Sequence, residues 1–338
     1  MPAGYPIDIE AVNAEMARRK PGQSKVTTSR DEADRVECLS GLFDGKTTGA
    51  PITLVTWNKD ADSSSYEKFK NILRPGHADY TALLRYGGFS DYRGSGRFSG
   101  RLTAGLVMAG AVASQIYKKI VPIVIGTHAR EIAGIAYEGA VDVKLVRERI
   151  ESNPVRCYDP AVAKKMAAAI EQAGKDKDSV GGIVECIVDG LPGGLGDPFF
   201  GSVESQLAAM MFSVGAVKGI EFGAGFAAAR MKGSEDNDLY AVDAAKEIYP
   251  VTNNAGGILG GITTGAPVVF RVVVKPTASI GKKQKSVDVS TKKPVDLEYE
   301  GRHDPCIVPR AVPVIEHAAA IIVLDLLLGA GIVPRIAK

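Results

Sequence analysis

The stretch that decides the fold of this chain is Arg101-Leu-Thr-Ala-Gly-Leu-Val-Met-Ala-Gly-Ala-Val-Ala-Ser-Gln-Ile116. Its bulkier apolar residues recur at helical spacing, and glycine and alanine fill most other positions. A helix with so little side-chain volume packs closely against neighbours on several sides, so we predict that it lies inside the protein. Its first turn follows an arginine-rich loop, where unpaired backbone N–H groups favour an anion.

Two segments before this helix mix arginine, histidine, aspartate and hydroxyl groups with glycine. They are Arg74-Pro-Gly-His-Ala-Asp-Tyr-Thr81 and Asp91-Tyr-Arg-Gly-Ser-Gly-Arg-Phe-Ser-Gly-Arg101. Glycine lets the backbone approach a ligand closely, and arginine suits carboxylates and phosphates. A histidine such as His77 can exchange a proton near neutral pH. We predict a loop-built site for a small anionic molecule; an ordinary solvated loop is the alternative.

The composition indicates a globular protein and excludes several classes. The 338 residues are 45% hydrophobic and 24% charged. A net charge of +2 argues against a nucleic-acid-binding protein. Four widely spaced cysteines suggest neither a disulfide framework nor a zinc site, and favour a cytoplasmic location. The most apolar run, residues 311–328, contains Glu316, His317 and Asp325, so we predict a buried helix and no membrane span.

The pattern of elements favours an α+β fold. A helix is predicted to begin after the N-cap Asp8 and to end at Arg18-Arg-Lys-Pro-Gly22, and others are predicted over 160–172 and 203–212. Strands are predicted over 36–39, 51–57, 121–125, 182–188 and 214–223, with 268–274 a strand buried on both faces. Residues 282–300 should form a surface hairpin, and 233–238 a loop. The alternation is too irregular for a doubly wound sheet, and no linker divides residues 1–338, so we predict a single domain.

Further glycine-rich or basic segments point to ligand binding. Residues 252–261 are rich in glycine but match no Walker A or dinucleotide fingerprint. Lys275-Pro-Thr-Ala-Ser279 follows a predicted strand. In Gly301-Arg-His-Asp-Pro-Cys306, Asp304 beside Arg302 should stay ionised and could accept a proton. A nucleophilic pair or metal site within that segment is a weaker alternative, because adjacency in sequence does not supply the geometry.

These motifs, with Ala216-Val-Lys-Gly219, Asn254-Ala-Gly-Gly257 and Arg18-Arg-Lys-Pro-Gly-Gln-Ser24, resemble those of the chorismate synthase family. The resemblance covers nearly the whole chain in the family's order. It implies a homotetrameric lyase that eliminates phosphate from 5-enolpyruvylshikimate 3-phosphate in an anti-1,4 sense, giving chorismate with the help of reduced FMN. This is the last common step of the shikimate pathway to the aromatic amino acids. The implied fold is a β-α-β sandwich with helices between two antiparallel sheets.

The resemblance also implies roles for individual residues. His77 resembles the acid near the leaving phosphate, and Asp304 the aspartate that helps relay the C6 proton. The implied substrate-binding residues are Arg19, Lys25, Arg74, Arg101 and Arg302. The implied flavin-binding residues are Arg97, Phe98, Ser99, Gly215, Ala216, Gly260, Lys275, Pro276, Thr277, Ala278, Ser279 and Arg302. No metal is implied.

Three positions depart from the family pattern. Phe98 replaces a hydroxyl beside the flavin, and Leu102 replaces a carboxylate at the start of the helix, where an acid would favour the helix dipole. Lys25 replaces an arginine and so lacks the bidentate fork. The flavin contacts are therefore expected to differ in detail.

The start of the sequence resembles an internal stretch of the family. Residues 1–4, Met-Pro-Ala-Gly, match a stretch that follows a strand and a Gly-Glu-Ser-His-Gly segment with a second catalytic histidine. We expect the functional chain to start upstream. The alternative is a truncated, non-catalytic protein that binds FMN or a phosphosugar. The absence of a dinucleotide fingerprint favours a separate flavin reductase as partner over intrinsic reduction with NADPH.

Overall fold

The computed structural model describes residues 1–20, 22, 34–58, 67, 69–298 and 304–337. Its α-helices are α1 (Ile9–Arg19), α2 (Asp79–Tyr86), α3 (Thr103–Tyr117), α4 (Val143–Glu151), α5 (Pro160–Lys175), α6 (Val203–Phe212), α7 (Gly233–Asp236) and α8 (Val308–Gly329). Short 3₁₀ segments occupy Arg93–Phe98, Gly100–Leu102 and Gly225–Arg230.

The strands are short at both sequence ends and longer in the middle. They are β1 (Ala3–Pro6), β2 (Val36–Ser40), β3 (Leu42–Phe43), β4 (Lys46–Thr48), β5 (Thr53–Thr56), β6 (Val124–Ile132), β7 (Ile135–Ala136), β8 (Gly182–Asp189), β9 (Val217–Phe222), β10 (Tyr240–Val242), β11 (Ile248–Pro250), β12 (Ile258–Leu259), β13 (Ile262–Thr263), β14 (Val268–Val274), β15 (Gln284–Asp288) and β16 (Lys293–Leu297).

The largest sheet has five strands in the order β7-β6-β8-β14-β9, and each neighbouring pair is antiparallel. Its register places His128, Glu185 and Arg271 directly opposite one another on three strands. Smaller antiparallel groups join β1, β4 and β3, and pair β2 with β5. The mixture of helices with antiparallel sheets confirms the predicted α+β class.

A layer of helices fills the centre of the fold. Helix α8 packs against β6 and β8 on one side and against α3 on the other. Helix α3 also contacts β1, and α1 contacts β2. The helices therefore lie between the five-stranded sheet and the N-terminal strands, which is the sandwich that the resemblance implied.

Helices α3 and α8 approach unusually closely at Gly110. A Cβ atom built on Gly110 would lie 2.2 Å from the backbone oxygen of His317. No side chain fits into that space, because real Cβ contacts are much longer. The glycine in the α3 sequence therefore permits the close packing that its composition predicted.

Helix α8 is long and apolar enough to cross a membrane by length and composition, but most of its side chains are buried inside the fold, as predicted. Pro313 interrupts its interior and supplies no N–H to the carbonyl one turn earlier. That carbonyl, of Pro309, instead accepts a hydrogen bond of 2.7 Å from Nη1 of buried Arg156. The proline is thus accommodated without a lost hydrogen bond.

Local sequence signals set several element ends. The side chain of Asp8 accepts from the N–H of Glu10 at 2.9 Å and caps α1, while Asp159 caps α5 in the same way. Helix α6 and strand β14 have the predicted bounds. The predicted hairpin appears as β15 and β16.

Other expectations were wrong in detail. Strand β14 is not buried on both faces: its residues alternate, and Val273 is exposed while Val272 is buried. Strand β6 begins at Val124, because Val121 still closes a turn on Tyr117. The stretch after His77 is not all loop, since α2 begins at Asp79. The predicted loop over 233–238 contains α7.

Candidate active site

The segment over residues 74–79 is a tight turn leading into α2. The N–H of His77 donates to the carbonyl of Arg74 at 3.2 Å, and the N–H of Arg74 donates to Oδ2 of Asp79 at 2.9 Å. Gly76 has a φ of +72°, a left-handed conformation that favours glycine. Asp79 lies in the first turn of α2, where the helix dipole favours a negative charge.

Three side chains of this turn form one hydrogen-bonded group, which we call the loop cluster: Arg74, His77 and Asp79. Arg74 binds Asp79 through both prongs of its guanidinium, with Nε–Oδ2 at 2.8 Å and Nη2–Oδ1 at 2.7 Å. Nδ1 of His77 lies 2.8 Å from the same Oδ1. The side chain of His77 is 18% exposed. The cluster therefore holds an imidazole at a solvent-accessible position.

The carboxylate of Asp79 is ionised in this setting. Burial alone would raise the pKa of Asp79, but the hydrogen bonds from His77 and Arg74 hold this pKa well below its usual range. An ionised carboxylate accepts and does not donate, so the 2.8 Å contact is a hydrogen bond when Nδ1 of His77 carries the proton. Nε2 then remains as the nitrogen that can exchange a proton with a ligand.

The segment after β14 lies against the loop cluster. Nζ of Lys275 donates to the carbonyl of Gly76 at 2.9 Å, and a Cβ atom built on Gly76 would lie 3.6 Å from that of Ala278. The N–H of Lys275 donates to the carbonyl of Ala216 at 2.9 Å. The structure therefore brings the predicted positions around residues 215–216 and 275–279 to the predicted acid. Pro276 is exposed at this place, and Ser279 is half-buried.

Asp304 joins the same region through a neighbouring residue. Its backbone oxygen accepts from Oγ1 of Thr277 at 2.9 Å. Its side chain pairs with Arg310, with Nη1–Oδ2 at 2.7 Å. The expected neighbour, Arg302, lies outside the described residues, as does Lys25. Arg310 therefore provides a cation for Asp304 that the sequence reasoning did not assign.

The loop before α3 contacts the loop cluster through Ser95, whose Oγ accepts from Nη1 of Arg74 at 3.1 Å. Arg97 donates to the hydroxyl of Tyr86 at 3.2 Å and lies over its ring. Phe98 is exposed beside Tyr86, with ring centroids 6.4 Å apart.

The start of α3 is held from the loop and from α1. Oγ of Ser99 accepts from the N–H of Arg101 at 3.3 Å. Arg19 is only 3% exposed, and its guanidinium donates to Oγ1 of Thr103 and to the carbonyls of Gly100 and Arg101. Within the described residues Arg19 thus supports the loop that carries Arg101.

Gly260 is not brought to this group within one chain. It forms the turn between β12 and β13, and Gly257 before it packs on Pro267, next to the first residue of β14. Lys275 follows the last residue of β14. The two positions therefore lie at opposite ends of that strand.

Two other groupings are structural. Burial raises the pKa of the Cys306 thiol to about 12, so the thiol stays protonated and the weaker nucleophile hypothesis gains no support. Glu15, Glu316 and His317 cluster at metal-binding distances, but Arg18 and Arg147 already pair with both carboxylates. Arg18 is buried among them and ties α1 to α8.

Asp79, Ser95 and Arg310 are the site residues that sequence reasoning left without a role. The signal for Asp79 was present, since a carboxylate follows His77 at a spacing of two and lies at the start of a helix. The contacts of Ser95 and Arg310 depend on how separate loops meet, so no local pattern could reveal them.

The fold and this site define an α+β protein in which arginine and lysine side chains lie around a partly exposed histidine. A family model described as chorismate synthase matches residues 1–328. Similar proteins named chorismate synthase include one of Dehalococcoides mccartyi, 49% identical over 100% of this chain and 92% of its own. Another, of Archaeoglobus fulgidus, is 48% identical over 99% and 91%.

A solved structure agrees with these relatives. A crystal structure of chorismate synthase has a TM-score of 0.74 and 28% identity, covering 97% of this chain and 86% of that one. The chain belongs to the chorismate synthase family.

Proposed function

We propose that this protein converts 5-enolpyruvylshikimate 3-phosphate into chorismate by anti-1,4 elimination of phosphate. The observation that carries the proposal is the loop cluster, which holds an imidazole beside a guanidinium where a ligand can reach it. A phosphate leaves more readily when its bridging oxygen receives a proton, and a positioned histidine can supply one. The relatives named chorismate synthase support this reaction.

In this proposal each residue has a role that follows from its charge. Nε2 of His77 donates the proton to the departing oxygen, while Arg74 and Arg101 bind the anionic groups of the substrate. Asp304, held by Arg310, helps to remove the proton at C6. The other proposed substrate-binding residues are Arg19, Lys25 and Arg302. Arg19 acts by donating a hydrogen bond to the carbonyl of Arg101 and so holding that residue in place.

We also propose reduced FMN as the cofactor, and the residues present fit such a group. Lys275 and Arg97 supply cations for its phosphate. A Cβ atom on Gly100 or Gly215 would meet no atom of the described residues within 4 Å, so the backbone there is open to a ligand; Gly260 is equally open but lies at the other end of β14. Exposed Phe98 offers an apolar surface to a ring system. When bound, reduced FMN would supply electron density as the phosphate leaves.

We propose a homotetramer in the cytoplasm. Phe199, Phe200 and Phe226 are 89%, 96% and 76% exposed in the single chain, which supports burial against other copies. The four cysteines form no disulfide, which supports a reducing compartment. Mass photometry of the purified protein tests the assembly: a mass of four chains supports it, and a single-chain mass at micromolar concentration contradicts it.

The function is tested by anaerobic turnover. Purified protein with chemically reduced FMN and 5-enolpyruvylshikimate 3-phosphate should release chorismate and inorganic phosphate in equal amounts, and His77→Gln should abolish most of this release. Flavin binding without turnover would instead support the alternative of a non-catalytic FMN- or phosphosugar-binding protein. Repeating the reaction with oxidised FMN and NADPH shows whether a separate flavin reductase is needed.

A further inference from the structure

Asp79 accepts hydrogen bonds at both of its carboxylate oxygens. Its Oδ2 accepts from the N–H and from Nε of Arg74, and its Oδ1 accepts from Nη2 of Arg74 and from Nδ1 of His77. A carboxylate offers about four lone-pair sites, so these four hydrogen bonds occupy its acceptor capacity. Asp79 therefore has no site left to take a proton from a substrate.

The sharing of one oxygen explains the position of the imidazole. Nη2 of Arg74 and Nδ1 of His77 lie 2.7 and 2.8 Å from Oδ1 and 3.1 Å from each other. Both nitrogens carry hydrogens that point at the carboxylate, so their closeness reflects the common acceptor. The imidazole ring is thereby fixed relative to the guanidinium.

We propose that Asp79 is a positioning residue that holds His77 in the Nδ1–H form and presents Nε2 as the one nitrogen that transfers a proton. The inference rests on the proposed function for its chemistry. For the transfer His77 starts with a proton on each ring nitrogen. As the C3–O bond breaks, the oxygen keeps the bonding electrons and takes the proton from Nε2, while the electrons of the C6–H bond enter the ring system as the C6 proton leaves. The other proton stays on Nδ1, hydrogen-bonded to Asp79, so His77 ends neutral in the Nδ1–H form, and its partly exposed ring allows solvent to return a proton to Nε2.

The variant that tests this is Asp79→Asn, which keeps the size of the side chain. An amide has one oxygen and one NH₂ group, so it cannot accept all four hydrogen bonds that the carboxylate accepts from Arg74 and His77. When its oxygen takes the place of Oδ2, which accepts two of the three hydrogen bonds from Arg74, its NH₂ group faces Nδ1, and the neutral imidazole should change to the Nε2–H form. We expect kcat to fall about 10²- to 10⁴-fold, with a smaller change in KM.

Asp91→Asn is the matched control. Asp91 binds Arg93 through two oxygens and accepts its backbone N–H, as Asp79 does for Arg74, but it contacts no histidine among the described residues. Its substitution should change kcat by no more than about twofold, as expected for an exposed ion pair that holds no imidazole.

The decisive measurement is the tautomer of His77, read by magic-angle-spinning NMR of full-length protein labelled with ¹⁵N-histidine at pH 8. The signals of His77 are identified by their loss in His77→Gln. The proposal expects Nδ1–H in the unsubstituted protein, Nε2–H in Asp79→Asn, and Nδ1–H again in Asp79→Glu, which restores a carboxylate.

Nε2–H in the unsubstituted protein would overturn the proposal, and that measurement needs no folded Asp79 variant. A fall in kcat of Asp79→Asn without a tautomer change would overturn it as well, since the effect would then come through Arg74. If no chorismate is formed at all, the proposed function fails, yet the tautomers of the three proteins still decide the role of Asp79.

Discussion

Two groups in this protein consist of the same kinds of side chain, a histidine, a carboxylate and an arginine, but they are built in opposite ways. The sheet cluster, His128, Glu185 and Arg271, joins three neighbouring strands that lie far apart in sequence. Glu185 lies 3.1 Å from Nε2 of His128 and accepts from Nε of Arg271 at 2.6 Å. The loop cluster lies within one turn before α2.

The histidines of the two clusters differ in whether a ring nitrogen is left without a hydrogen bond. His128 is fully buried, and both of its ring nitrogens lie within hydrogen-bond distance of acceptors, on Glu185 and on the backbone of Ala129. His77 is partly exposed, and its Nε2 has no hydrogen bond within the described part of the chain. Residue types alone therefore do not distinguish the two groups. The proposed function needs a partly exposed ring that is held at one nitrogen only, as that of His77 is within the described residues.

The largest expected effect separates the two histidines. Replacing His77 by glutamine should lower kcat about 10²- to 10⁴-fold, because the proton donor is lost. It should lower the free energy of unfolding by no more than about 1 kcal/mol, the usual net worth of one hydrogen bond, here the one to Asp79. Anaerobic chorismate formation and urea unfolding measure the two quantities. His128→Gln is the control, and it should lower stability while the folded protein keeps its kcat. A loss of kcat in His128→Gln with a loss of stability only in His77→Gln would mean that His128 is the proton donor and His77 is structural.

The next effect concerns Glu185. Its replacement by alanine leaves His128 and Arg271 without their shared partner and should cost about 3–5 kcal/mol of stability, as for other broken buried pairs. The midpoint of urea unfolding reports this loss. Glu138→Ala removes an exposed partner of Arg130 and should cost less than about 1 kcal/mol. Equal losses in the two variants would mean that the sheet cluster contributes no more than a surface pair.

Two buried carboxylates, of Glu185 and Glu15, should make the stability of the protein fall at acid pH. Burial alone would raise the pKa of Glu185, but His128 and the nearby arginines lower it to about 2; the pKa of Glu15 is lowered to about 2 by Arg18 and its neighbours. Both folded pKa values lie below the unfolded value of 4.5. Their contribution is thus complete above that value and is lost as pH falls towards 2, by about 3 kcal/mol for each group.

Urea unfolding between pH 6 and pH 3 measures this dependence. The same series on Glu185→Ala should show a shallower fall, because one of the two groups no longer titrates. An unchanged slope would mean that Glu185 is not ionised in the folded protein.

The smallest expected effect tests how the loop cluster is attached to the sheet. Lys275→Met removes the hydrogen bond from Nζ to the carbonyl of Gly76, worth about 1 kcal/mol. Amide exchange over residues 74–79 should then rise about fivefold, in proportion to that free energy. Exposed Lys218 on the neighbouring strand β9 provides the control, and Lys218→Met should leave exchange in this segment unchanged.

Much of this architecture was predictable because its causes are local. Asp8 and Asp159 cap the helices that directly follow them. The glycines of α3 predicted close packing from the sequence of that helix alone. The turn at His77 also carries its own signal. The sheet cluster was not predictable, because His128, Glu185 and Arg271 meet only through strand register. The pairing of Asp304 with Arg310 likewise depends on how the chain enters α8.

The contact at Gly110 has a consequence for motion. Gly110 of α3 has no side chain and lies directly against His317 of α8. Because the two helices are this close, α3 has almost no room to slide or rotate against the core. The short 3₁₀ segment directly before α3 carries Arg101, and Arg19 donates hydrogen bonds to that segment and to Thr103. The arginine end of the site should therefore fluctuate with the amplitude of the protein interior, while the His77 turn is held by a few hydrogen bonds and keeps the freedom of a surface segment. A ligand that binds between the Arg101 segment and the His77 turn would contact one rigid surface and one surface that can change its position.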